Sequence, residues 1–142
     1  MLNITIINGP NLNLLGKREP SVYGNESFDD YLMQLKKDFP QINFSYLQSN
    51  IEGELVDAIQ KFGFNQDGII LNPAAYTHTS IAIGDAIAAI KTPVIEVHIS
   101  NVHAREDFRK TSHVSAKVVG SIVGLGLKGY ALAAEWFVKN AK

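Results

Sequence analysis

Short apolar runs alternate with longer stretches of helical periodicity along this chain, and that alternation restricts the fold more than any other feature. Asn3-Ile4-Thr5-Ile6-Ile7 reads as a strand buried on both faces. Ser27, with Asp30 three residues on, resembles a capping box and starts a helix in which Phe28, Tyr31, Leu32 and Leu35 share one face, ending near Pro40. Ile42-Asn43-Phe44-Ser45-Tyr46-Leu47 alternates as a second strand. Leu55, Ala58, Ile59 and Phe62 mark a second amphipathic helix, for which Gly63 supplies the stop. Gly68-Ile69-Ile70-Leu71 is a third strand, and Ile83, Ala86, Ile87 and Ile90 lie on one face of a third helix. Pro93 precedes Val94-Ile95-Glu96-Val97-His98 as a fourth strand. A fifth is expected from near Lys117 to Val123, and Tyr130, Ala133, Ala134 and Phe137 recur at the spacing of a closing helix.

A strict βαβα order implies right-handed crossovers and a parallel sheet with helices on both faces. Five strands predict an α/β, flavodoxin-like three-layer sandwich with strand order 2-1-3-4-5. In that order the winding reverses between strands one and three, so the loops after strands one, three and four become neighbours at the carboxyl edge of the sheet. No long polar or Pro/Ser-rich stretch interrupts the pattern, and residues 1–142 are read as one catalytic domain.

Thirteen basic against fourteen acidic residues, with no long block of either sign, give no electrostatic support for a nucleic-acid or membrane-surface partner. A small molecule is the expected ligand. The absence of cysteine removes disulfides, thiolate nucleophiles and sulfur-ligated metals together, and fits a reducing, cytoplasmic setting. No signal-peptide pattern opens the chain, and no apolar run reaches the roughly 20 residues that span a bilayer.

The three neighbouring loops carry chemistry. After strand one comes Asn8-Gly9-Pro10-Asn11-Leu12-Asn13-Leu14-Leu15-Gly16-Lys17-Arg18-Glu19-Pro20, followed closely by Tyr23-Gly24. After strand three come Asn72 and His78, and strand four ends in Glu96-Val97-His98-Ile99-Ser100. Asparagine after a strand is common turn chemistry and a strand-end histidine is commonly structural, so their meeting in one crevice carries the argument. Glu96 and His98 lie two apart in a strand, so their side chains share a face and the carboxylate is placed to orient the imidazole. A structural pairing in the core has the same sequence signature. Arg105 and Arg109, one helical turn apart, suit an anionic or polyhydroxylated ligand, or equally a solvated helix with Glu and Arg pairs.

Three other patterns fail on context. Gly124-Leu125-Gly126-Leu127-Lys128-Gly129 matches a dinucleotide-binding loop, but it follows the last strand, so no ribose-binding acid can stand about 20 residues later. It is read as a tight helix entry. Histidines 78, 98, 103 and 113 hold no i,i+4 pair of the kind that binds zinc, and no Walker-type loop is present.

Taken together, these segments resemble the type II 3-dehydroquinate dehydratases over nearly the whole chain. The resemblance rests on Asn8-Gly9-Pro10-Asn11-Leu12-Asn13 with Arg18 and Tyr23, on Asn72-Pro73-Ala74-Ala75-Tyr76-Thr77-His78-Thr79-Ser80, on Glu96-Val97-His98-Ile99-Ser100-Asn101, and on Gly124-Leu125-Gly126 through Gly129-Tyr130. It implies a lyase of the shikimate pathway that removes water from 3-dehydroquinate by anti elimination through an enolate, with neither cofactor nor metal. By that resemblance Tyr23 is the base and Arg18 the cation that favours its ionised form, since a free tyrosine needs its pKa lowered by about 3 units to act near neutrality. His98 is implied as the general acid, Glu96 as its holder, and Asn11 as the residue positioning a water for the enolate. Asn8 is read as structural. The substrate carboxylate is assigned to the backbone at Ile99 and Ser100, and the hydroxyls and nearby polar groups to Asn72, His78 and Arg109. Asp85 is expected from a neighbouring subunit of a homo-oligomer, a dodecamer built from trimers. Residues 14–23, bracketed by Gly16 and Gly24, are expected to act as a lid.

Gly84 and His113 depart from the bulkier and the aromatic residue expected there, and a mid-helix glycine costs about 1 kcal/mol relative to alanine. Three competing readings exist. A receiver domain would need acids after strand one and a phosphorylatable aspartate where Asn72-Pro73 stands, and a flavodoxin would need a Ser/Thr-rich phosphate loop after strand one. A non-catalytic binding or scaffolding relative would be betrayed by loss of Arg18, Tyr23 or His98, all of which are present.

Overall fold

The structure is a computed structural model and describes residues 1–17, 21 and 25–141. Strands β1 (Leu2–Asn8), β2 (Ile42–Gln48), β3 (Gly68–Asn72), β4 (Val94–His98) and β5 (Gly120–Val123) form one parallel sheet in the order β2-β1-β3-β4-β5. The connecting helices are α1 (Phe28–Asp38), α2 (Glu52–Phe62), α3 (Ile81–Ala89) and α4 (Lys128–Asn140). The expected three-layer α/β architecture and its strand order are therefore observed. Residues 18–20 and 22–24, which include Arg18 and Tyr23, lie outside the described residues, as does part of the expected lid.

Alternation along the central strands divides the core into two halves. Ile4 and Ile6 of β1, Ile70 of β3, and Ile95 and Val97 of β4 pack with Phe28, Leu32 and Leu35 of α1 and Tyr130, Ala133 and Phe137 of α4. Ile7, Ile69, Leu71 and Val94 point the opposite way, onto Leu55 and Ile59 of α2 and Ile83 and Ile87 of α3. Both faces of these strands are covered, which explains why they read as continuous apolar runs. Fully burying such a side chain contributes about 1.5–3 kcal/mol, so these two clusters dominate the stability of the sheet.

Helix ends follow local chemistry with one revision. Ser27 caps α1, its hydroxyl accepting from the Asp30 amide at 3.2 Å, and Ser80 caps α3 by accepting from the Ile83 amide at 3.0 Å. Gly63 does end α2, but in right-handed backbone at φ −74° rather than the left-handed conformation of a glycine cap. Its requirement is space, because a Cβ there would stand 2.2 Å from Ile90 Cγ2. Gly84 likewise lies where a Cβ would meet the His113 carbonyl oxygen at 2.2 Å. The two residues that departed from expectation are thus in contact with one another, and the glycine lets α3 approach the backbone of the segment before β5.

That segment also differs from the sequence reading. Regular β5 begins only at Gly120, and residues Ser115–Lys117 form a 3-10 turn before it. Arg105 and Arg109 do not share a continuous helix. Two short 3-10 turns, Val102–Ala104 and Asp107–Lys110, flank an extended Arg105 at φ −107° and ψ −158°.

Candidate active site

The carboxyl ends of β1, β3 and β4 open into a cleft of about 550 Å³. Its walls include Asn11, Asn72, His78, His98, Ile99, Ser100, Arg105 and Arg109. This is the place an open parallel sheet provides for a small ligand.

Its floor is a buried polar network that the register of the strands creates. Asn8 and Asn72 are Cα partners across β1 and β3, so both side chains lie on the α4 side. The buried Tyr130 hydroxyl donates to Asn8 Oδ1 at 2.8 Å and accepts from Asn72 Nδ2 at 3.0 Å. Asn8 Nδ2 donates to the Tyr46 hydroxyl at 3.4 Å. Asn72 Oδ1 accepts from the Ala74 amide at 3.1 Å, which turns the chain into the 3-10 segment Ala74–His78. Burial pushes the Tyr130 phenol far above its ordinary titration range, so it serves as a neutral hydrogen-bond hub.

Strain marks the rim. Asn11 at φ 69° and Ala74 at φ 53° are the non-glycine residues with left-handed backbone among the described residues, and both line the cleft. Such conformations cost on the order of 1–3 kcal/mol and persist where surrounding contacts hold them. The Asn11 amide is fixed by Asn50 Oδ1 at 2.9 Å, and Gln48 Nε2 binds Gly9 O at 3.1 Å.

His98 stands at the cleft's inner wall. Its Nε2 lies 2.5 Å from Glu96 Oε2, while Glu96 Oε1 accepts from the hydroxyls of Ser115 and Ser121, each at 2.7 Å. Glu96 is completely buried. Burial alone would raise its pKa, but the hydrogen bond and charge of His98 and the two serine hydroxyls outweigh burial and hold the carboxyl below its ordinary range. An ionised carboxylate only accepts, so Nε2 carries the hydrogen and Nδ1 is the imidazole's other reactive nitrogen.

His78 is held differently. Its Nδ1 donates to the Thr111 carbonyl at 2.7 Å, leaving Nε2 for other partners. Partial burial lowers its pKa despite that bond, which favours the neutral ring. Arg109 is braced by Glu106 Oε2 at 2.5 Å and lies over the Phe108 ring, 5.0 Å from its centroid. Arg105 Nη1 donates to Ser100 Oγ at 3.3 Å. Among the described residues no group of three His, Asp or Glu side chains is arranged to hold a metal ion, and no helix is long and apolar enough to cross a membrane.

Residues 2–138 match the family model described as dehydroquinase class II. The chain belongs to the class II dehydroquinases. Among its relatives in this family, the 3-dehydroquinate dehydratase of Fusobacterium nucleatum subsp. nucleatum is 52% identical over 144 residues, covering 97% of each chain. The 3-dehydroquinate dehydratase of Exiguobacterium sp. is 51% identical over 140 residues, covering 98% of this chain and 96% of the other. The crystal structure of the type II dehydroquinase from Butyrivibrio crossotus superposes with a TM-score of 0.92 at 46% identity, over 96% of this chain and 97% of that one.

For this dehydroquinase the fold gathers Asn11, Asn72, His78, His98, Ile99, Ser100 and Arg109 around one cleft, with Glu96 directly behind His98. Asp85 stands exposed on α3 and is not among the residues lining its own chain's cleft. Sequence reasoning missed Ser115, Ser121 and the Tyr130 hub. Ser121 was detectable in principle, because it is the Cα partner of Glu96 across β4 and β5, but finding it required the register of a short edge strand.

Proposed function

We propose that this chain catalyses the dehydration of 3-dehydroquinate to 3-dehydroshikimate in the shikimate pathway, by anti elimination through an enolate. The family match and identities of about half over nearly the whole chain to proteins named for that activity support the reaction. Tyr23 takes the C2 proton, assisted by the Arg18 cation, and the resulting enolate is stabilised by a water that Asn11 positions. The enolate electrons then form the C1–C2 double bond as the C1–O bond breaks, and the His98 imidazolium delivers the proton from Nδ1, so that the hydroxyl leaves as water. A positioned acid or base typically contributes a factor of about 10²–10⁴. No cofactor takes part in this scheme.

The observation that carries the acid assignment is the His98–Glu96 pair at 2.5 Å, with the imidazole on the cleft wall and the carboxylate buried behind it. The substrate carboxylate binds at the backbone of Ile99 and Ser100, with Asn72, His78 and Arg109 taking the hydroxyls. One amide hydrogen of Asn72 is available for this, because the other is committed to Tyr130. We read the working form as a cytoplasmic homododecamer built from trimers, in which Asp85 of the partner subunit completes each site.

Ultraviolet absorbance tests the reaction, because the product's conjugated enone absorbs where the substrate does not. Loss of signal in both Tyr23→Phe and His98→Ala supports reaction and roles together. A folded, oligomeric wild-type protein without activity would instead favour the binding or scaffolding reading, and activity surviving Tyr23→Phe would remove Tyr23 as the base. A stable monomer on gel filtration would refute the assembly.

A further inference from the structure

His98 lines two adjoining cavities. One is the cleft, and the second, which shares His78, Val102 and Arg109 with it, is walled in part by Glu96, Ser112, Ser115 and Ser121. Glu96 has no exposed surface, although Ser115 and Ser121 are themselves exposed, so two hydroxyls occupy the places where water would otherwise solvate the carboxylate.

The direction of these hydrogen bonds is forced. Ser112 Oγ accepts from the amides of Val114 at 3.1 Å and Ser115 at 2.9 Å, which leaves its hydroxyl hydrogen for Ser115 Oγ at 2.8 Å. Ser115 in turn has its own hydrogen for Glu96 Oε1, and Ser121, in register with Glu96, donates to the same oxygen. Glu96 therefore meets three donors, counting His98 Nε2.

We propose that Ser115 and Ser121 are positioning residues for the general acid, clamping Glu96 as a pure acceptor so that His98 keeps its hydrogen on Nε2 and presents Nδ1 to the substrate. This deepens the dehydratase reading and rests on it for its consequence in turnover. Were Glu96 to take the imidazolium's Nε2 proton, His98 would be left with a neutral Nδ1–H, which is far too weak an acid for the departing hydroxyl. Two hydroxyl donors on the carboxylate oppose that transfer.

Other charged groups face the pair from neighbouring elements. His78 of the Ala74–His78 turn, His103 of the Val102–Ala104 turn, and Arg109 and Lys110 of the Asp107–Lys110 turn line the second cavity. All are retained in the variants below, so they act alike in each.

The test is a double variant, Ser115→Ala with Ser121→Val, the valine filling the space that a replacement water would take. Protein carrying carbon-13 at glutamate carboxyls is titrated without substrate. Glu96 is expected to protonate about tenfold more readily, or about one pH unit higher, for each hydroxyl removed. The double variant should lose kcat by up to about tenfold for each hydroxyl removed while KM holds, and the single variant Ser121→Thr, which keeps both hydroxyls, should retain the wild-type kcat and the wild-type Glu96 titration. An unchanged Glu96 titration in the folded double variant overturns the proposal, as does a loss that falls on KM rather than kcat. A shifted titration in a protein whose wild type does not turn over 3-dehydroquinate would uphold the clamp and defeat the dehydratase reading.

Discussion

Replacing Gly84 by alanine should destabilise this protein, although the substitution ordinarily strengthens a helix. A Cβ at position 84 would stand 2.2 Å from the His113 carbonyl oxygen, where van der Waals contact requires about 1 Å more. The obstructing atom is backbone and is tethered, because the His113 amide donates to the Thr77 carbonyl at 2.9 Å. No side-chain rotation relieves it. Overpacking of this kind costs about 3 kcal/mol at the upper end of its usual range, and the gain in helix propensity returns about 1 kcal/mol. The net loss of about 2 kcal/mol corresponds to a midpoint lowered by roughly 6 °C for a chain of this length. Differential scanning calorimetry on Gly84→Ala and on Gly84→Ala/His113→Ala separates the causes, since removing the His113 side chain leaves the obstructing oxygen in place. Both should melt lower than their glycine counterparts. A variant melting at or above wild type would refute the reasoning, and rescue by His113→Ala would show that the side chain, rather than the backbone, sets the limit.

Glu96→Gln should lose stability at neutral pH, because Glu96 accepts three hydrogen bonds and the carboxamide has one oxygen to offer. The folded pKa of Glu96 lies below its ordinary 4.5, so the ionised group's contribution is present above 4.5 and fades as pH falls through the folded value. The gap in midpoint between wild type and Glu96→Gln should therefore narrow below pH 4.5, and a gap independent of pH would contradict the assignment. Tyr130→Phe leaves Asn8 Oδ1 and Asn72 Nδ2 without their shared partner in the core, at a cost of about 1–3 kcal/mol measurable by urea denaturation. Asn11 has φ 69°, so Asn11→Ala should lose about 1–2 kcal/mol of stability while Asn11→Gly keeps it. Both should be slow in turnover if the Asn11 side chain positions a water for the enolate.

The arrangement of hydrophobic residues determined the architecture without reference to contacts. Apolar runs at β1, β3 and β4 and helical periodicity between them suffice for a parallel sheet covered on both faces, because both periods are local properties of the backbone. The juxtaposition of Asn8, Asn72 and His98 followed from strand order alone, since carboxyl ends of neighbouring parallel strands must meet at one edge. The family resemblance likewise rested on segments that can be read in order along the chain, and the family match agrees with it.

Tertiary structure decided what depends on distance between segments far apart in sequence. Gly63 has the place that helix termination predicts but a different cause, the approach of Ile90. Gly84 looked like a weak point in α3 until the His113 carbonyl was found against it, a contact between residues that no periodicity links. Arg105 and Arg109 kept helical spacing in sequence, yet Arg105 is extended between two short turns and Arg109 lies within the second. Ser115 and Ser121 reach Glu96 from 19 and 25 residues away, one from a turn and one from an edge strand. Their register is set by how the chain packs before β5. Local pattern specifies which face of an element is buried, whereas the partners of a buried charge depend on where the elements come to rest against each other.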